Sequence, residues 1–216
     1  MEKNNILLIG LGYFGQRVAA RLAEFKQDVM AVDCQEDRLN DVLPIVTTGR
    51  IGDVRDENFI KDLGPQDYDI CIVAIGDDFL STLEATALLK DNGARYVVSR
   101  ASSDIQERLL LRNGADEVVF PEKTLANWIG TRFSSNHIFD SIPLYDGYSV
   151  MEIEMPPKWA GHTLAQLDVR RTYHLNIIAF KHGKALIPSV DPSEVLDAGR
   201  TVIVLGKVGD IRKCFQ

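Results

Sequence analysis

The first 135 residues combine short apolar runs with longer stretches in which apolar side chains recur at helical spacing. The first run, ILLI at 6–9, ends at Gly10, and helical spacing follows from Val18 to Phe25. Further strands are predicted at 29–33, 45–49, 69–76, 95–99 and 117–120, and helices at 36–42, 56–63, 79–92, 103–112 and 122–135. Six strands alternating with helices predict an α/β fold, a Rossmann-like doubly wound parallel sheet with helices on both faces.

The pattern changes after about residue 140. SIPLYDGYSVMEIEM alternates apolar and polar residues, and short strands separated by Gly and Pro follow it, which is typical of a small α+β domain. Pro143 and Gly147 favour a hinge between the two parts. We therefore predict an N-terminal domain at 1–135, a linker at 136–146 and a C-terminal domain at 147–216.

A glycine-rich turn, GLGYFG at 10–15, joins the first strand to the first helix. In a doubly wound sheet this turn is the place where a ligand binds. Gly10 permits the tight turn, Gly12 lets a phosphate approach the backbone, and Gly15 lets the helix pack on the strand. The helix N-terminus can then hold a pyrophosphate.

Acidic residues follow two of the predicted strands. Asp33 ends the second strand, 18 residues after Gly15, where a carboxylate can hold both ribose hydroxyls and disfavours the 2′-phosphate of NADP. GRIGDVRDE places Asp53 beside the expected adenine pocket, and Gly76 in AIGDD leaves room near the ligand. The alternative is that Asp33 and Asp53 are only capping or turn residues. The sequence predicts an adenine-nucleotide or dinucleotide site.

The chemistry of a dehydrogenase is missing from the sequence. It contains no Tyr-x-x-x-Lys pair, and its histidines, His137, His162, His174 and His182, lie outside the nucleotide domain without metal-binding spacing. Cys71 is expected to be a core residue, whereas Cys34, directly after Asp33, leaves a redox role open. We expect a protein that is not an enzyme, with a small NAD-dependent oxidoreductase as the alternative.

Charge and cysteine content limit the partners and the cellular compartment that we expect for this protein. The 24 Lys and Arg against 31 Asp and Glu give a net charge of −7 with no basic block, so nucleic acid and anionic membrane surfaces are not expected partners. Three widely spaced cysteines fit a reducing cytosol. No apolar stretch approaches the roughly 20 residues that span a bilayer, so we expect no direct membrane insertion and any membrane association to require a partner.

The order of many short motifs carries a family resemblance. GLGYFGQRVA, MAVDCQEDRLNDV, GDVRDENF, AIGDDFLSTLEATALLK, VVSRASS and GADEVVFPEKTLANWI together resemble the regulator of conductance of potassium (RCK) domain, also called KTN. The later segment, from SVMEIEM to VLDAGRTVIVLGKVGDIRK, is similar to the C-terminal domain of TrkA- and KtrA-type regulators. The resemblance covers nearly the whole chain.

This resemblance implies a cytoplasmic, non-enzymatic subunit, peripheral on the inner face of the membrane, that gates a TrkH- or KtrB-like K⁺ transporter. Such subunits dimerise and form rings of eight. A bound nucleotide, usually ATP or ADP and sometimes NAD(H), changes the shape of the ring. A ligand-sensing subunit for another kind of membrane transporter remains an alternative.

The resemblance also implies roles for individual residues. The phosphate loop would consist of Gly10, Gly12, Tyr13, Phe14 and Gly15, although Phe14 is expected to serve mainly the core. Around it, the resemblance assigns the ribose to Asp33, the adenine to Asp53 and Val54, the pocket lining to Ile75 and Gly76, and a place near the phosphates to Arg100. KtrA-type regulators commonly carry Arg where this chain has Tyr13, which leaves the choice between ATP, ADP and NAD(H) open.

Two further sites are implied. Glu122 matches a position where an acid can hold a divalent cation, Mg²⁺ or Ca²⁺, between dimer mates; alternatively, it is a helix first-turn carboxylate. Relatives can bind cyclic di-AMP at the C-terminal domain through residues placed like Arg171, Asn176, Ile177 and Pro188. The alternative for these residues is a solvated arginine, a turn and a strand core.

Overall fold

A computed structural model describes residues 3–215 of the chain. Within them the chain divides into two compact units, the first ending at Glu122 and the second beginning at Lys123. Their secondary structure follows the predicted change of pattern: parallel strands alternate with helices in the first unit, and the second is built on an antiparallel sheet.

The first unit is a six-stranded parallel sheet with the order β3-β2-β1-β4-β5-β6. Its strands are β1 (Asn5–Ile9), β2 (Asp28–Asp33), β3 (Thr48–Ile51), β4 (Ile70–Val73), β5 (Val97–Arg100) and β6 (Glu117–Val119). The helices are α1 (Tyr13–Glu24), α2 (Glu36–Val42), α3 (Glu57–Leu63), α4 (Phe79–Asp91) and α5 (Asp104–Arg112), and a 3₁₀ turn occupies Pro65–Asp67. Helix α6 (Pro121–Phe133) begins in this unit and ends in the second. This order confirms the Rossmann-like doubly wound fold.

Strand β1 shows why its sequence is a continuous apolar run. Leu7 and Ile9 pack on the side of α3 and α4, whereas Leu8 packs on the opposite side against residues of α1 and α2. All three are at most 1% exposed. Because helices cover both faces of a parallel sheet, the apolar residues 6–9 of this central strand are all buried, and only Asn5 at its start is exposed.

The third strand begins later than the apolar run predicts. The backbone N–H groups of Ile45 and Val46 both donate to the carbonyl of Val42, at 2.9 and 3.2 Å. These two residues therefore continue the end of α2, and pairing with β2 starts at Thr48, opposite Met30.

The second unit contains a five-stranded antiparallel sheet with the order β10-β9-β11-β8-β7. Its strands are β7 (Ile138–Pro143), β8 (Tyr148–Glu154), β9 (Asn176–His182), β10 (Ala185–Ile187) and β11 (Thr201–Lys207). Short helices α7 (Leu164–Leu167), α8 (Val169–Thr172) and α9 (Val208–Lys213) and a 3₁₀ turn at Pro157–Trp159 accompany it. This is the small α+β domain that the sequence predicts.

The segment 136–146, predicted as a linker, contains strand β7 and part of the hairpin turn that follows it. Strand β7 pairs with β8, and Leu144 donates its N–H to the carbonyl of Tyr148 at 2.8 Å. Asp146 and Gly147 adopt φ of 58° and 74°, the left-handed conformation that a tight hairpin turn requires. Pro and Gly signals accompany hairpin turns as well as linkers, and here they belong to a turn.

The helices within residues 3–215 are short. The longest, α4 and α6, have 13 residues each. None of the helices described has the combination of length and apolar character that crossing a bilayer demands.

Candidate functional site

The glycine loop lies where the strand order reverses, between the ends of β1 and β4. Gly10 has φ of +88°, and a Cβ added to it would lie 2.9 Å from the backbone nitrogen of Ile75. The parallel register of Ile9 with Val73 brings these two strand ends together. A side chain at position 10 has no room because the residues directly after β4 pass beside it.

Gly12 and Gly15 have different surroundings. Gly12 is the N-cap of α1, and apart from its chain neighbours Leu11 and Tyr13 no residue within 3–215 has an atom within 4 Å of the position that a Cβ on Gly12 would take. A Cβ on Gly15 would lie 1.9 Å from the carbonyl oxygen of Gly10. The loop thus packs tightly against its own helix at Gly15 and leaves open space beside the helix N-terminus at Gly12, where an anion is favoured.

Asp33 is buried at the end of β2, with only 5% of its surface exposed. Its Oδ2 accepts a hydrogen bond from the backbone N–H of Leu11 at 2.6 Å, and its Oδ1 accepts one from Gln35 at 2.9 Å. Arg38 Nη1 lies 3.9 Å from Oδ2. The carboxylate therefore ties β2 to the glycine loop. Sequence reasoning missed Leu11, because any residue except proline offers the same N–H and only the fold shows which one is near.

Asp53 follows β3 and is held by its neighbour Arg55. The Arg55 guanidinium donates from Nε to Oδ1 at 3.0 Å and from Nη2 to Oδ2 at 2.7 Å. These hydrogen bonds lower the pKa of Asp53 to about 2. Val54 is buried in the core on the side of α3 and α4. The predicted adenine contacts of Asp53 and Val54 stay predictions, and Arg55 is a neighbour that the motif did not indicate.

Arg100, the last residue of β5, reaches across the end of β4. A Cβ on Gly76 would lie 2.2 Å from its Nη1, and its guanidinium carbon lies 5.2 Å from the ring centre of Phe14. Nη2 donates to Oε1 of Glu122 at 2.5 Å. The structure thus brings together four of the predicted site residues, which come from the segment after β4, the end of β5 and the first turns of α1 and α6.

The two aromatic residues of the loop face different environments. Phe14 packs partly against the core on the side of α1 and α2, as predicted from the sequence. Tyr13 is 79% exposed, and the guanidinium of Arg17, one turn along α1, lies 5.1 Å from its ring centre. Tyr13 therefore makes a cation–π contact with Arg17.

Glu122 forms an ion pair with Arg100. A hydrogen bond with its own backbone lowers the pKa of Glu122 most, and Arg100 lowers it further. Among residues 3–215, no group of three or more His, Cys, Asp or Glu side chains is placed to hold a metal ion. A cation site at Glu122 remains a prediction that involves a second copy of the chain.

Two of the three cysteines are buried. Burial raises the pKa of the Cys71 thiol to about 12 and that of Cys214 to about 11. Cys71 is part of β4 and lies in the core, as expected from its apolar run. Cys34 is exposed.

The residues predicted to bind cyclic di-AMP lie around the start of β9 and the end of β10. The Arg171 side chain is 86% exposed and lies 3.6 Å from Asp168. Asn176 accepts a hydrogen bond from Arg170 at 3.0 Å, Ile177 packs partly against the core of the second unit, and Pro188 is exposed after β10. Arg170, the residue before Arg171 in the chain, is therefore engaged with Asn176.

Comparison with known proteins assigns both units to known domain families. The family model of the TrkA-N domain matches residues 6–121, and that of the TrkA-C domain matches residues 150–215. The chain is 37% identical to Ktr system potassium uptake protein C of Bacillus subtilis (strain 168) over 98% of its own length and 96% of that protein's. It is 29% identical to Ktr system potassium uptake protein A of Vibrio alginolyticus over 92% of this chain and 90% of that one.

A solved structure shares the fold. The GsuK channel bound to NAD superposes with a TM-score of 0.68 at 14% identity, over 99% of this chain and 39% of that one, so the present chain spans less than half of the channel's length. At this identity the likeness concerns the fold alone. The two domain models and the relatives matched along nearly their full length lead to one assignment: the chain belongs to the family of Ktr- and Trk-type potassium uptake proteins that join a TrkA-N domain to a TrkA-C domain.

Proposed function

We propose that this chain is a nucleotide-sensing regulatory subunit that gates a membrane K⁺ transporter of the Trk or Ktr type and performs no chemistry itself. The observation that carries the proposal is the open space at Gly12 beside the N-terminus of α1, with the buried carboxylate of Asp33 next to it. A helix N-terminus favours phosphate, and a carboxylate at the end of β2 favours ribose hydroxyls. Together they suit an adenine nucleotide.

Two features support binding without turnover. The relatives matched over nearly their whole length are named as potassium uptake proteins. The charged groups at the crevice, Asp53 with Arg55 and Arg100 with Glu122, are engaged with each other, which suits electrostatic recognition better than proton exchange with a substrate.

The chain acts on its transporter from the cytoplasmic face of the membrane. A TrkH- or KtrB-like subunit is the partner, and copies of the chain associate as dimers and in a ring of eight. Nucleotide binding changes the ring only if the ligand has different affinities for its two states, and that difference sets the size of the response.

Two secondary ligands belong to the same proposal. Glu122 would hold a divalent cation beside the nucleotide in the dimer, exchanging its present partner Arg100 for the cation. Cyclic di-AMP would bind at the C-terminal domain through Arg171, Asn176, Ile177 and Pro188, where the exposed guanidinium of Arg171 is suited to a phosphate. The variant Arg171→Ala is expected to lose cyclic di-AMP and keep adenine nucleotides.

A binding panel on the intact protein tests the proposal. ATP, ADP, NAD, NADH and cyclic di-AMP are titrated by calorimetry, and nucleotide consumption is followed in the same samples. We expect one or more adenine nucleotides to bind and to raise the melting temperature, with no turnover. Hydride transfer to or from a small alcohol or keto acid would instead indicate an oxidoreductase.

A further inference from the structure

A groove lies at the edge of the first unit's sheet where β1, β2 and β3 begin. The glycine loop and Asp33 lie at the carboxyl ends of these strands, so the groove is at the opposite edge of the sheet from the proposed nucleotide site. It is open to solvent and has a volume of about 670 Å³. We call it the amino-edge groove. Within residues 3–215 it is lined by ten residues, of which five are apolar: Ala23, Phe25, Pro44, Ile45 and Val46.

The apolar part of the amino-edge groove is largely uncovered. Phe25 is 47% exposed and Ile45 is 44% exposed, whereas Val46 packs partly against the core on the side of α1 and α2. Large apolar side chains that are exposed in one groove mark a binding surface. A ligand that covers Phe25 and Ile45 would remove apolar surface from water, which is favourable.

The polar groups of the groove are paired, with one exception. Lys3 Nζ lies 2.7 Å from Oδ1 of Asp28, and the hydroxyl of Thr47 donates to the same oxygen at 3.1 Å. The side-chain amide of Gln27 is hydrogen-bonded to backbone groups at both its oxygen and its nitrogen, at 2.7 and 2.9 Å. Lys26 is exposed, and its ammonium group has no hydrogen bond or ion pair within residues 3–215. The groove therefore offers one unpaired positive charge beside an apolar surface.

The size of the groove indicates what kind of ligand suits it. Its ten lining residues are fewer than the roughly 20–30 residues that each side of a stable protein–protein interface contributes. Its volume lies within the range of small-molecule sites, about 300–1,000 Å³. A complementary ligand combines an apolar chain with a single anionic group.

We propose that the amino-edge groove binds a small amphipathic anion, a carboxylate with an apolar chain such as a medium-length fatty acid. The chain covers Phe25 and Ile45, and the carboxylate pairs with Lys26. This site is separate from the nucleotide crevice, and the inference goes beyond the proposed nucleotide-sensing function without resting on it.

Calorimetry of the full chain with decanoate, kept below the concentration at which it forms micelles, tests this site. Decanol and decylammonium carry the same chain with no charge and with the opposite charge, and octanoate is two methylene groups shorter. Lys26→Gln removes the charge, and Lys26→Arg keeps it. Lys184→Gln is the matched control, since Lys184 in the second unit is also exposed and has no ion pair within residues 3–215.

We expect decanoate to bind in a 1:1 ratio and more tightly than decanol or decylammonium. Octanoate should bind about tenfold more weakly, since it buries two fewer methylene groups. Lys26→Gln should weaken decanoate about two- to fivefold, the effect of one ion pair near the surface, and should leave decanol unchanged. Lys26→Arg and Lys184→Gln should bind decanoate as the unaltered protein does.

Photolabelling shows where the ligand binds. Decanoate with a diazirine at the end of its chain should label peptides that contain residues 23–28 or 44–47, and excess decanoate should prevent the labelling. Three results would overturn the inference: no saturable binding of decanoate, an equal loss of decanoate affinity in Lys26→Gln and Lys184→Gln, or labelling confined to other parts of the chain.

Sedimentation velocity tests the other occupant of the groove, a second copy of the chain. The unaltered protein and Ile45→Gln are compared at the same concentration, and we expect particles of the same size. A smaller particle in Ile45→Gln would assign the groove to a contact between copies and would also overturn the inference.

Discussion

Gly12 and Gly15 lie three residues apart in one loop. Because their surroundings differ, a substitution at Gly12 should affect mainly nucleotide affinity and one at Gly15 mainly stability. Gly12→Ala adds a methyl group into open space at an extended φ of −64°, so it should change the free energy of unfolding by at most about 1 kcal/mol, the cost of a poorer N-cap. The methyl group would lie where the proposed phosphate approaches the backbone, so we expect nucleotide affinity to fall. Urea unfolding and calorimetry measure the two effects.

Gly15→Ala is the matched variant in the same loop. Its methyl group would lie 1.9 Å from the backbone oxygen of Gly10, and backbone cannot rotate away as a side chain does. We expect a loss of stability of about 3 kcal/mol or more, at the upper end for overpacked positions. A Gly15→Ala protein as stable as the parent would show that the loop is less tightly packed than described.

Asp33 has a structural role, and the proposed ribose contact would give the same side chain a role in binding. Asp33→Ala removes the acceptor of two backbone N–H groups, those of Leu11 and Gln35, and should lower stability by about 1 to 3 kcal/mol. We expect the same change to weaken adenine-nucleotide binding by about 1 to 3 kcal/mol through lost charge-assisted hydrogen bonds to ribose. Asp62→Ala, at an exposed acid near the end of α3, is the control. Unchanged nucleotide affinity in folded Asp33→Ala would exclude the ribose role.

At the scale of elements, a buried hydroxyl pair joins α4 to β5 next to Arg100. Thr86 Oγ1 donates to the carbonyl of Thr82 at 2.7 Å, so the hydroxyl of Ser99, also 2.7 Å away, is the donor to Thr86. Both residues are fully buried. This pair fixes the end of β5 from which Arg100 extends.

A double-mutant cycle tests this pair. Thr86→Val leaves the buried Ser99 hydroxyl without its acceptor and should lower stability by about 1 to 3 kcal/mol. Ser99→Ala alone should also destabilise, but the double variant should lose less than the sum of the two, since neither group is then left unpaired. Additive losses in urea unfolding would mean that the two hydroxyls do not interact.

The sequence predicts the elements of the first unit well because each strand is an apolar run bounded by turn residues. Strand β3 is shifted because Ile45 and Val46, although apolar, close the last turn of α2. The segment 136–146, which holds β7 and part of its hairpin turn, is predicted as a linker because proline and glycine, here Pro143 and Gly147, are common in linkers and in turns alike. Periodicity shows which residues are buried, and it does not show whether a turn ends an element or a domain.

The site could be predicted only in part for a related reason. The glycines and Asp33 stand in a fixed spacing that follows from the strand–turn–helix geometry, so the sequence alone locates them. The partners of these residues depend on tertiary contacts: Leu11 with Asp33, and Glu122 with Arg100, 22 residues apart in the chain. Asp53 and Arg55 are close in sequence, but many acidic and basic residues at the same spacing in a chain do not form an ion pair.

At the scale of the whole molecule, a sensor must convert binding into a change that a transporter can detect. A ligand shifts the equilibrium between two states only by its difference in affinity for them, so the size of the response in transport measures that difference. Tight binding without such a difference would leave transport unchanged. Binding alone therefore does not establish the regulatory role.

The most direct test is K⁺ flux into vesicles that contain a TrkH- or KtrB-like membrane subunit together with this chain, measured with and without ADP or ATP. We expect a flux that depends on the nucleotide when the unaltered chain is present. Gly12→Ala should remove that dependence, and the nucleotide should remain unconsumed. A flux that is the same with and without nucleotide, or a nucleotide that is chemically converted during the measurement, would contradict it.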